Sequence, residues 1–252
     1  MVSRLHKTPS AQLVAHAVSE AALFADISRD AIDEILSVAT IRSMPKGQML
    51  FMQDDEADNF YIIASGWVKL FRETLEGDEA VIDVLTDGHV FGETSLFEDG
   101  IHSCNAQVVE STNVVVIPTQ TLKHVVAENN QLAFNMLHSL SQHRRLKDRE
   151  IEHLNLQNAP QRIGCFLLRL LPLKGPDFEP PESAQLHLPY DKTLIASRLG
   201  MKPETFSRAL ARLRQETTIT INGSAVTVNN VQDLVHYTCN NCSDGFPCSD
   251  LT

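Results

Sequence analysis

The stretch Asp191–Glu216, DKTLIASRLGMKPETFSRALARLRQE, holds two helical patterns that meet at Gly200. A close crossing of two helices needs a small residue such as Ala196, and the turn between them favours a glycine that takes a positive φ. Pro203 suits the first turn of the second helix, where no intrahelical amide is required, and Phe206 follows on the inner face of that helix. The stretch therefore predicts a helix-turn-helix.

Two β-prone runs follow, TITING and SAVTVNN, and they meet at Asn222-Gly223, a strong hairpin signal. Together with the helical pair they predict a winged helix. From Lys192 to Arg214 there are six cations and a single anion, Glu204, which gives +5 in a chain whose formal net charge is −11. The acidic total disfavours nonspecific coating of nucleic acid, whereas the basic segment places a phosphate-binding face on the predicted motif. An ordinary solvated pair of helices is the alternative.

The length and composition of the chain indicate a folded protein with two domains. It has 252 residues, and a domain takes roughly 100 to 200. Hydrophobic residues at 43% and charged residues at 21% exclude a wholly disordered or fibrous chain. No run approaches the roughly 18 apolar residues of a membrane-spanning helix. Met1–Ala25 carries Glu20 where a signal peptide needs an unbroken apolar core, so we expect a cytoplasmic protein with no membrane partner.

The segment from Met44 to Pro118 reads as short β-prone runs separated by turn residues. This pattern predicts an antiparallel roll around one packed interior. Ahead of it, Ser28 is expected to cap a short helix that packs against the roll. The glycines that punctuate the runs are Gly47, Gly66, Gly77 and Gly88.

The segment from Thr119 to Asn158 contains neither proline nor glycine, and its apolar residues recur every three or four positions. We predict a long helix. Its heptad path is apolar at both ends and cationic in the middle, so a second copy of the helix would bury it, and we expect a homodimer. Packing of the helix on its own domain is the alternative. The predicted dimerisation residues are Leu137, Leu140, Ile151 and Leu154.

The sequence thus divides into four predicted segments. They are a sensory β-roll domain at 1–118, a dimerisation helix at 119–158, a winged-helix domain at 159–236 and a cysteine-rich tail at 237–252. An apolar helix, RIGCFLLRLLPL, and a proline-rich loop open the third segment.

The five cysteines are unevenly placed, because Cys239, Cys242 and Cys248 lie in the last fourteen residues with the spacing C-x2-C-x5-C. A disulfide framework would spread through the fold, so we expect ligation or redox chemistry. Thiolates favour iron-sulfur clusters or zinc, and either needs a fourth ligand. A tail whose thiols merely oxidise, and a zinc site that uses His236, are alternatives. The candidates for the fourth ligand are Cys104, Cys165, His236 and Asp148.

Over nearly its whole length the chain resembles the CRP/FNR family of bacterial transcription regulators. The resemblance lies in FGETSLFEDG, the long helix after VVVIP, NAPQRIGCFLL and KPETFSRALARL. It implies an α+β fold with a cyclic-nucleotide-binding-like antiparallel β-roll, a long dimerisation helix and a C-terminal winged helix-turn-helix that enters the major groove. It further implies a DNA-binding activator without enzymatic activity, with RNA polymerase as a partner.

Glu204, Ser207 and Arg208 match the E..SR arrangement of the FNR-like branch, which reads TTGAT-type half-sites in a palindrome. Arg208 can donate to guanine O6 and N7, and Glu204 can accept from cytosine N4. Alternatively, Glu204 caps its own helix or pairs with Arg208. The candidate DNA-binding residues are Lys202, Glu204, Thr205, Ser207, Arg208 and Arg212.

Cyclic-AMP-binding relatives follow the FGE motif with an Arg-Ser pair that grips the cyclic phosphate. This chain keeps Gly92 and Glu93 but has His102-Ser103 at the place of that pair. Histidine lacks the guanidinium fork and is largely neutral at pH 7, so we expect that cyclic AMP does not bind and that Gly92 and Glu93 form a structural turn. These four residues are the candidate sensory pocket.

The resemblance leaves three hypotheses for the signal. The tail cysteines match in spacing the cluster ligands of FNR-like oxygen sensors, which normally lie near the N-terminus, so an iron-sulfur cluster that senses oxygen, nitric oxide or redox state is the first. Haem, as in the nitric-oxide-responsive branch, and a cyclic nucleotide are the others. A cupin-like enzyme is a rival class, but it needs clustered metal-binding histidines, and the roll contains only His89 and His102.

Overall fold

The computed structural model describes residues 9–97, 100–171, 180–240, 242 and 246–248. The chain forms two compact units, Met1–Gln142 and His143–Thr252. The boundary between the two units lies between Gln142 and His143, inside the segment 119–158 that is predicted as a separate dimerisation helix. None of the helices in the described ranges is both long and apolar enough to cross a membrane.

The first unit contains the predicted antiparallel β-roll. Its strands form two four-stranded sheets with the orders β1-β8-β3-β6 and β2-β7-β4-β5, and every pairing is antiparallel. Buried apolar side chains fill the space inside the roll, among them Ile63, Val68 and Val114. The strands are β1 Thr40–Met44, β2 Met49–Phe51, β3 Asn59–Ser65, β4 Val68–Glu73, β5 Glu79–Leu85, β6 Val90–Phe91, β7 Asn105–Val108 and β8 Thr112–Pro118.

Short helices cover one side of the roll. They are α1 Pro9–Glu20, a 3₁₀ turn at Ala22–Phe24, α2 Arg29–Val38 and α3 Thr94–Phe97. The predicted cap of α2 is confirmed, since the Ser28 hydroxyl accepts a hydrogen bond from the Ala31 amide at 3.3 Å. Ile35, on the inner face of α2, is fully buried in the same cluster as Val115 and Ile117 of β8.

The predicted long helix is interrupted. α4 covers Thr119–Glu128 and α5 covers Asn130–Leu156, with Asn129 between them in an extended conformation (φ −127°, ψ 99°). The Asn129 side chain accepts a hydrogen bond from the Leu132 amide at 2.9 Å and so caps α5. Asparagine is a strong N-cap, and it ends one helix and begins the next without any proline or glycine. The predicted long helix is therefore confirmed as the 27-residue α5, but it does not span all of 119–158, because α4 is a separate helix.

The second unit contains the predicted winged helix. Its elements are α6 Ala159–Arg169, β9 Ala184–His187, α7 Lys192–Arg198, α8 Pro203–Glu216, β10 Ile219–Asn222, β11 Ala225–Val228 and α9 Val231–Cys239. A capping box between Asn158 and Gln161 begins α6. The predicted hairpin pairs β10 with β11 around Gly223, whose φ is +63°, and β9 adds a third strand. This third strand is not among the elements predicted from the sequence. One core joins Ile163 and Leu167 of α6 to Phe206 and Leu213 of α8.

Candidate functional site

The turn between α7 and α8 has the geometry that the sequence predicts. Gly200 has a φ of +65°, and the amides of Gly200 and Met201 donate to the carbonyls of Ser197 and Ala196 at 3.0 and 2.8 Å. Ala196 and Phe206 are buried where the two helices cross. A residue with a side chain rarely adopts this φ, so the glycine fixes the angle at which α8 leaves the turn.

The solvent face of α8 carries the predicted base-reading residues. Glu204, Ser207 and Arg208 are exposed and lie three and four positions apart, so they share one face, while Thr205 is half-buried. The opposite face, with Phe206 and Ala209, packs into the core of the unit. An exposed helix face with a donor fork and a carboxylate one turn apart can read base edges in a major groove.

Four of the six cations of this segment fall into two groups. Arg198 is bonded to Glu150 of α5, and Arg212 donates to Glu216 at 2.8 Å. Lys202 and Arg208 have no ion-pair or hydrogen-bond partner within the described ranges, so Arg208 does not pair with Glu204 in this conformation. Lys202 and Arg208 are therefore the cations at the start of α8 that remain available to an external anion.

Glu216 also accepts a hydrogen bond from the Tyr237 hydroxyl, which ties the end of α8 to α9. Burial, and then the bond to this carboxylate, raise the pKa of Tyr237 to about 12. Arg212 is thus part of the connection between α8 and α9, a role that the sequence does not reveal.

His102 lies inside the roll instead of lining an anion site. Its side chain is 4% exposed, and its ring stacks on Phe51 with centroids 3.5 Å apart and planes 6° apart. Burial lowers the pKa of His102, against the opposing charges of Asp55 and Asp58, so the imidazole is neutral at pH 7. A neutral ring packed face to face on an aromatic side chain cannot act as the cation that grips a cyclic phosphate.

The backbones of the other three residues of the candidate pocket take part in the local turn and its hydrogen bonds. Gly92 has a φ of +89°, and a Cβ there would approach the Asn59 carbonyl oxygen to 3.2 Å. The carbonyl of Glu93 accepts from the Leu96 amide at 3.1 Å, and the carbonyl of Ser103 accepts from Arg72 Nε at 2.9 Å. A cleft beside Glu93 and Met136 has room for about one water molecule.

The predicted dimerisation residues are largely exposed on α5. Leu137 is 67% exposed and Ile151 is 57% exposed, and Leu154 is exposed as well, whereas Leu140 is half-buried. Phe134, Leu146 and Leu156 are exposed as well, and Leu146 lies about 180° around the helix from Leu137. A helix with this many exposed apolar side chains requires a partner surface.

The second unit gathers four thiols. Cys165 lies on α6, Cys239 ends α9, and Cys242 and Cys248 follow in the tail. Burial raises the pKa of Cys239 to about 12, and the negative charges of the Cys242, Cys165 and Cys248 thiolates add to the rise. These three sulfurs are therefore close enough to Cys239 to repel its charge. Beside them, Gln157 Nε2 donates to Cys242 Sγ at 3.0 Å, and Cys165 Sγ lies 4.0 Å from His153 Nδ1.

The other candidates for a fourth ligand are not among the groups that shift the pKa of Cys239. Asp148 is exposed and pairs with Arg144 at 3.8 Å, His236 is exposed on α9, and Cys104 belongs to the first unit. In the ranges that the structure describes, no three His, Cys, Asp or Glu side chains are placed as a closed metal-binding set. The four sulfurs form the donor set that iron-sulfur clusters and zinc accept, gathered but not drawn together into a coordination shell.

Comparisons with known proteins agree with this architecture. Residues 41–129 match the cyclic nucleotide-binding domain family, and residues 161–237 match the Crp-like helix-turn-helix domain family. The cyclic AMP receptor protein of Thermus thermophilus is 30% identical over 82% of this chain and 91% of its own length. The fumarate and nitrate reduction regulatory protein of Escherichia coli is 29% identical over 80% of this chain and 78% of its own.

A solved structure is similar over most of the chain. The crystal structure of a putative cyclic nucleotide binding protein from Ruegeria pomeroyi has a TM-score of 0.61 and 30% identity, and the match covers 90% of this chain and 97% of that one. The two domain families, their order along the chain and the exposed face of α8 lead to the same assignment. This chain belongs to the CRP/FNR family of DNA-binding transcription regulators.

Proposed function

We propose that this regulator senses oxygen, nitric oxide or redox state through an iron-sulfur centre held by its C-terminal cysteines, and that as a dimer it binds TTGAT-type palindromes. The sensing part of this proposal is supported by the C-x2-C-x5-C spacing of Cys239, Cys242 and Cys248, and by the electrostatic effect of Cys165, Cys242 and Cys248 on Cys239. When bound, such a centre supplies a group that reacts with oxygen and nitric oxide. The cysteine side chains would hold it.

Recognition of DNA rests on the exposed face of α8. The Arg208 guanidinium reaches solvent without a carboxylate partner in the described ranges, so its two donors are available to guanine O6 and N7. Glu204, one turn earlier, presents an acceptor for cytosine N4. Lys202, at the N-terminus of α8, contacts phosphate, since a helix N-terminus and an ammonium group both favour an anion.

Dimerisation through α5 fits a palindromic site. A second copy of α5 covers the exposed Leu137, Ile151 and Leu154 and places two copies of α8 in a symmetric arrangement. Dimeric helix-turn-helix proteins bind half-sites about 34 Å apart, one helical turn of DNA. RNA polymerase would be the partner of the DNA-bound dimer, and no catalytic step is required.

A cyclic nucleotide is not the signal in this proposal, although one relative is named a cyclic AMP receptor protein. The His102 position, where that class carries a phosphate-binding arginine, is filled by a buried neutral ring stacked on Phe51. Because this ring is buried and neutral, we infer that the signal acts elsewhere in the chain.

The decisive experiment is the visible spectrum and metal content of the full chain purified without oxygen, before and after exposure to air or nitric oxide. We expect broad sulfur-to-iron absorption, with iron and sulfide in equal amounts, and bleaching by either gas. A sharp Soret band would identify haem and contradict the proposal. Zinc without colour would also contradict it and assign a zinc site instead.

A further inference from the structure

We propose that Cys165 is the fourth thiol of this metal site, so that the site is built on α6 and α9 within the DNA-binding unit. The inference rests on the proposed metal centre and names the ligand that the three tail cysteines lack. The ligand class is a thiophilic metal group with four sulfur donors, either an iron-sulfur cluster or a single zinc ion.

The packing of α6 on α9 brings the two helical cysteines together. A Cβ added to Gly164 would lie 2.2 Å from Thr238 Oγ1, so the α6 backbone touches the Thr238 side chain directly. Cys165 directly follows Gly164, and Cys239 directly follows Thr238. One turn earlier on α6, Gln161 Nε2 donates to the Tyr237 carbonyl at 3.3 Å. Each cysteine therefore directly follows a residue of this contact between adjoining helices.

The beginning of the tail turns back toward the same place. The Cys242 amide donates to the Cys239 carbonyl at 3.1 Å and bends the chain as it leaves α9. The Gln157 side chain, at the junction of α5 and α6, then donates to Cys242 Sγ. Cys242 is thus held near the N-terminal end of α6, and Cys165 lies on the same helix one to two turns after that end.

Two buried polar atoms flank these thiols without a hydrogen-bond partner in the described part of the chain. They are Gln157 Oε1, on a residue 6% exposed, and Thr238 Oγ1, on a residue with no exposure. Buried polar groups are satisfied in the great majority of cases, so two such atoms beside one cluster of thiols indicate that a further group belongs there. The Thr238 hydroxyl can donate to sulfur, which is how proteins tune iron-sulfur centres.

The position of Cys165 links the metal to the recognition helix. Ile163 and Leu167 of α6 share a core with Phe206 and Leu213 of α8, so α6 is the support on which α8 rests. A metal bound to Cys165 and Cys239 ties α9 and the tail to this support. Its loss releases them and loosens the packing beneath α8, so that the metal state is read within the DNA-binding unit.

The test compares Cys165→Ser with Cys104→Ser in the full chain, both purified without oxygen. Cys104 is a matched control, because it is a partly buried thiol in the other unit. We expect Cys165→Ser to lose more than about 100-fold in metal affinity, since changes outside the ligand shell alone cost 10 to 100-fold. Cys104→Ser should keep wild-type iron, sulfide or zinc, and the metal analysis separates a cluster from a zinc ion.

A second measurement needs no variant and guards against a Cys165→Ser protein that fails to fold. Wild-type protein is alkylated before and after removal of the metal by a chelator, and each cysteine is quantified by mass spectrometry. Labelling of Cys165 should rise on metal removal together with that of Cys239, Cys242 and Cys248. Equal labelling of Cys165 in both states, or a Cys165→Ser protein with full metal content, overturns the inference and leaves the proposed function standing. A wild-type chain that binds neither iron nor zinc overturns both.

Discussion

His102 and Phe51 stack face to face inside the β-roll, with ring centroids 3.5 Å apart. The contact places an imidazole where charge is unfavourable, because water is excluded from both rings. Burial lowers the pKa of His102. The unfolded chain, where the pKa is about 6.5, therefore binds a proton more readily than the folded chain does.

This relationship predicts how stability depends on pH. The contribution of His102 to the free energy of unfolding should be constant at pH above about 6.5. It should decrease as the pH falls from there toward the lowered pKa of the folded chain, because the unfolded chain then binds more protons. His102→Phe keeps the stacked ring and removes the titration. Urea unfolding of both proteins at pH 5 and pH 8 measures the difference, which should be smaller in His102→Phe. Equal pH dependence in the two proteins contradicts the assignment.

The same stacking predicts that cyclic AMP does not stabilise the protein. A ligand at 100 times its Kd raises the free energy of unfolding by about 2.7 kcal/mol, which is a readily measured rise in Tm. We expect no rise at millimolar cyclic AMP, with 5′-AMP as the control for nonspecific effects. A saturable increase with cyclic AMP alone would show that the roll opens to admit the nucleotide.

Arg208→Ala should weaken binding to a TTGAT palindrome far more than binding to a scrambled duplex. A bidentate contact to guanine contributes about 1 to 3 kcal/mol, and a dimer makes two, so the loss should be at least about 30-fold. Lys202→Ala is the matched control, because a phosphate contact should weaken both duplexes alike and reduce the salt dependence. Titrations by fluorescence anisotropy at several salt concentrations measure both effects. A similar loss on both duplexes for Arg208→Ala would assign it to the phosphate backbone.

The sequence predicts the helix-turn-helix well because its signals are local. Gly200, Pro203 and the Asn222-Gly223 hairpin each determine backbone conformation within a few residues. The break at Asn129 is equally local, but its cause is a side-chain cap, and a search for proline and glycine misses it. A strand as short as β9, which follows a proline-rich stretch of sequence that lies mostly outside the described residues, carries too few residues for a period-2 pattern.

The candidate metal site shows the opposite case. The spacing of the tail cysteines is visible in the sequence, but Cys165 lies 74 positions before Cys239. What brings them together is the packing of Gly164 on Thr238, a tertiary contact that no sequence period encodes. Sequence reasoning therefore names Cys165 as one of four candidates, and only the fold places it beside the tail.

The contact between Gly164 and Thr238 predicts a rescue. Gly164→Ala should lower the free energy of unfolding by about 1 to 3 kcal/mol, because the new methyl group overlaps Thr238 Oγ1. Thr238→Ala removes that atom, so the double variant should recover part of the loss. Urea unfolding of the two single variants and the double variant forms a double-mutant cycle. Strict additivity would mean that the two helices separate instead of packing at this point.

The exposed face of α5 predicts how the dimer is broken. Leu137→Glu places a carboxylate on a side chain that is 67% exposed in one chain, so the change costs a monomer little but buries an unpaired charge in a dimer. Gln142→Glu introduces the same charge about 140° away around the helix and should leave the dimer intact. Sedimentation velocity should show a monomer for Leu137→Glu alone, with its helical circular dichroism unchanged. Because a monomer contacts one half-site, its affinity for the palindrome should fall to that for a single half-site. A dimer that persists in Leu137→Glu would place the interface on a different surface.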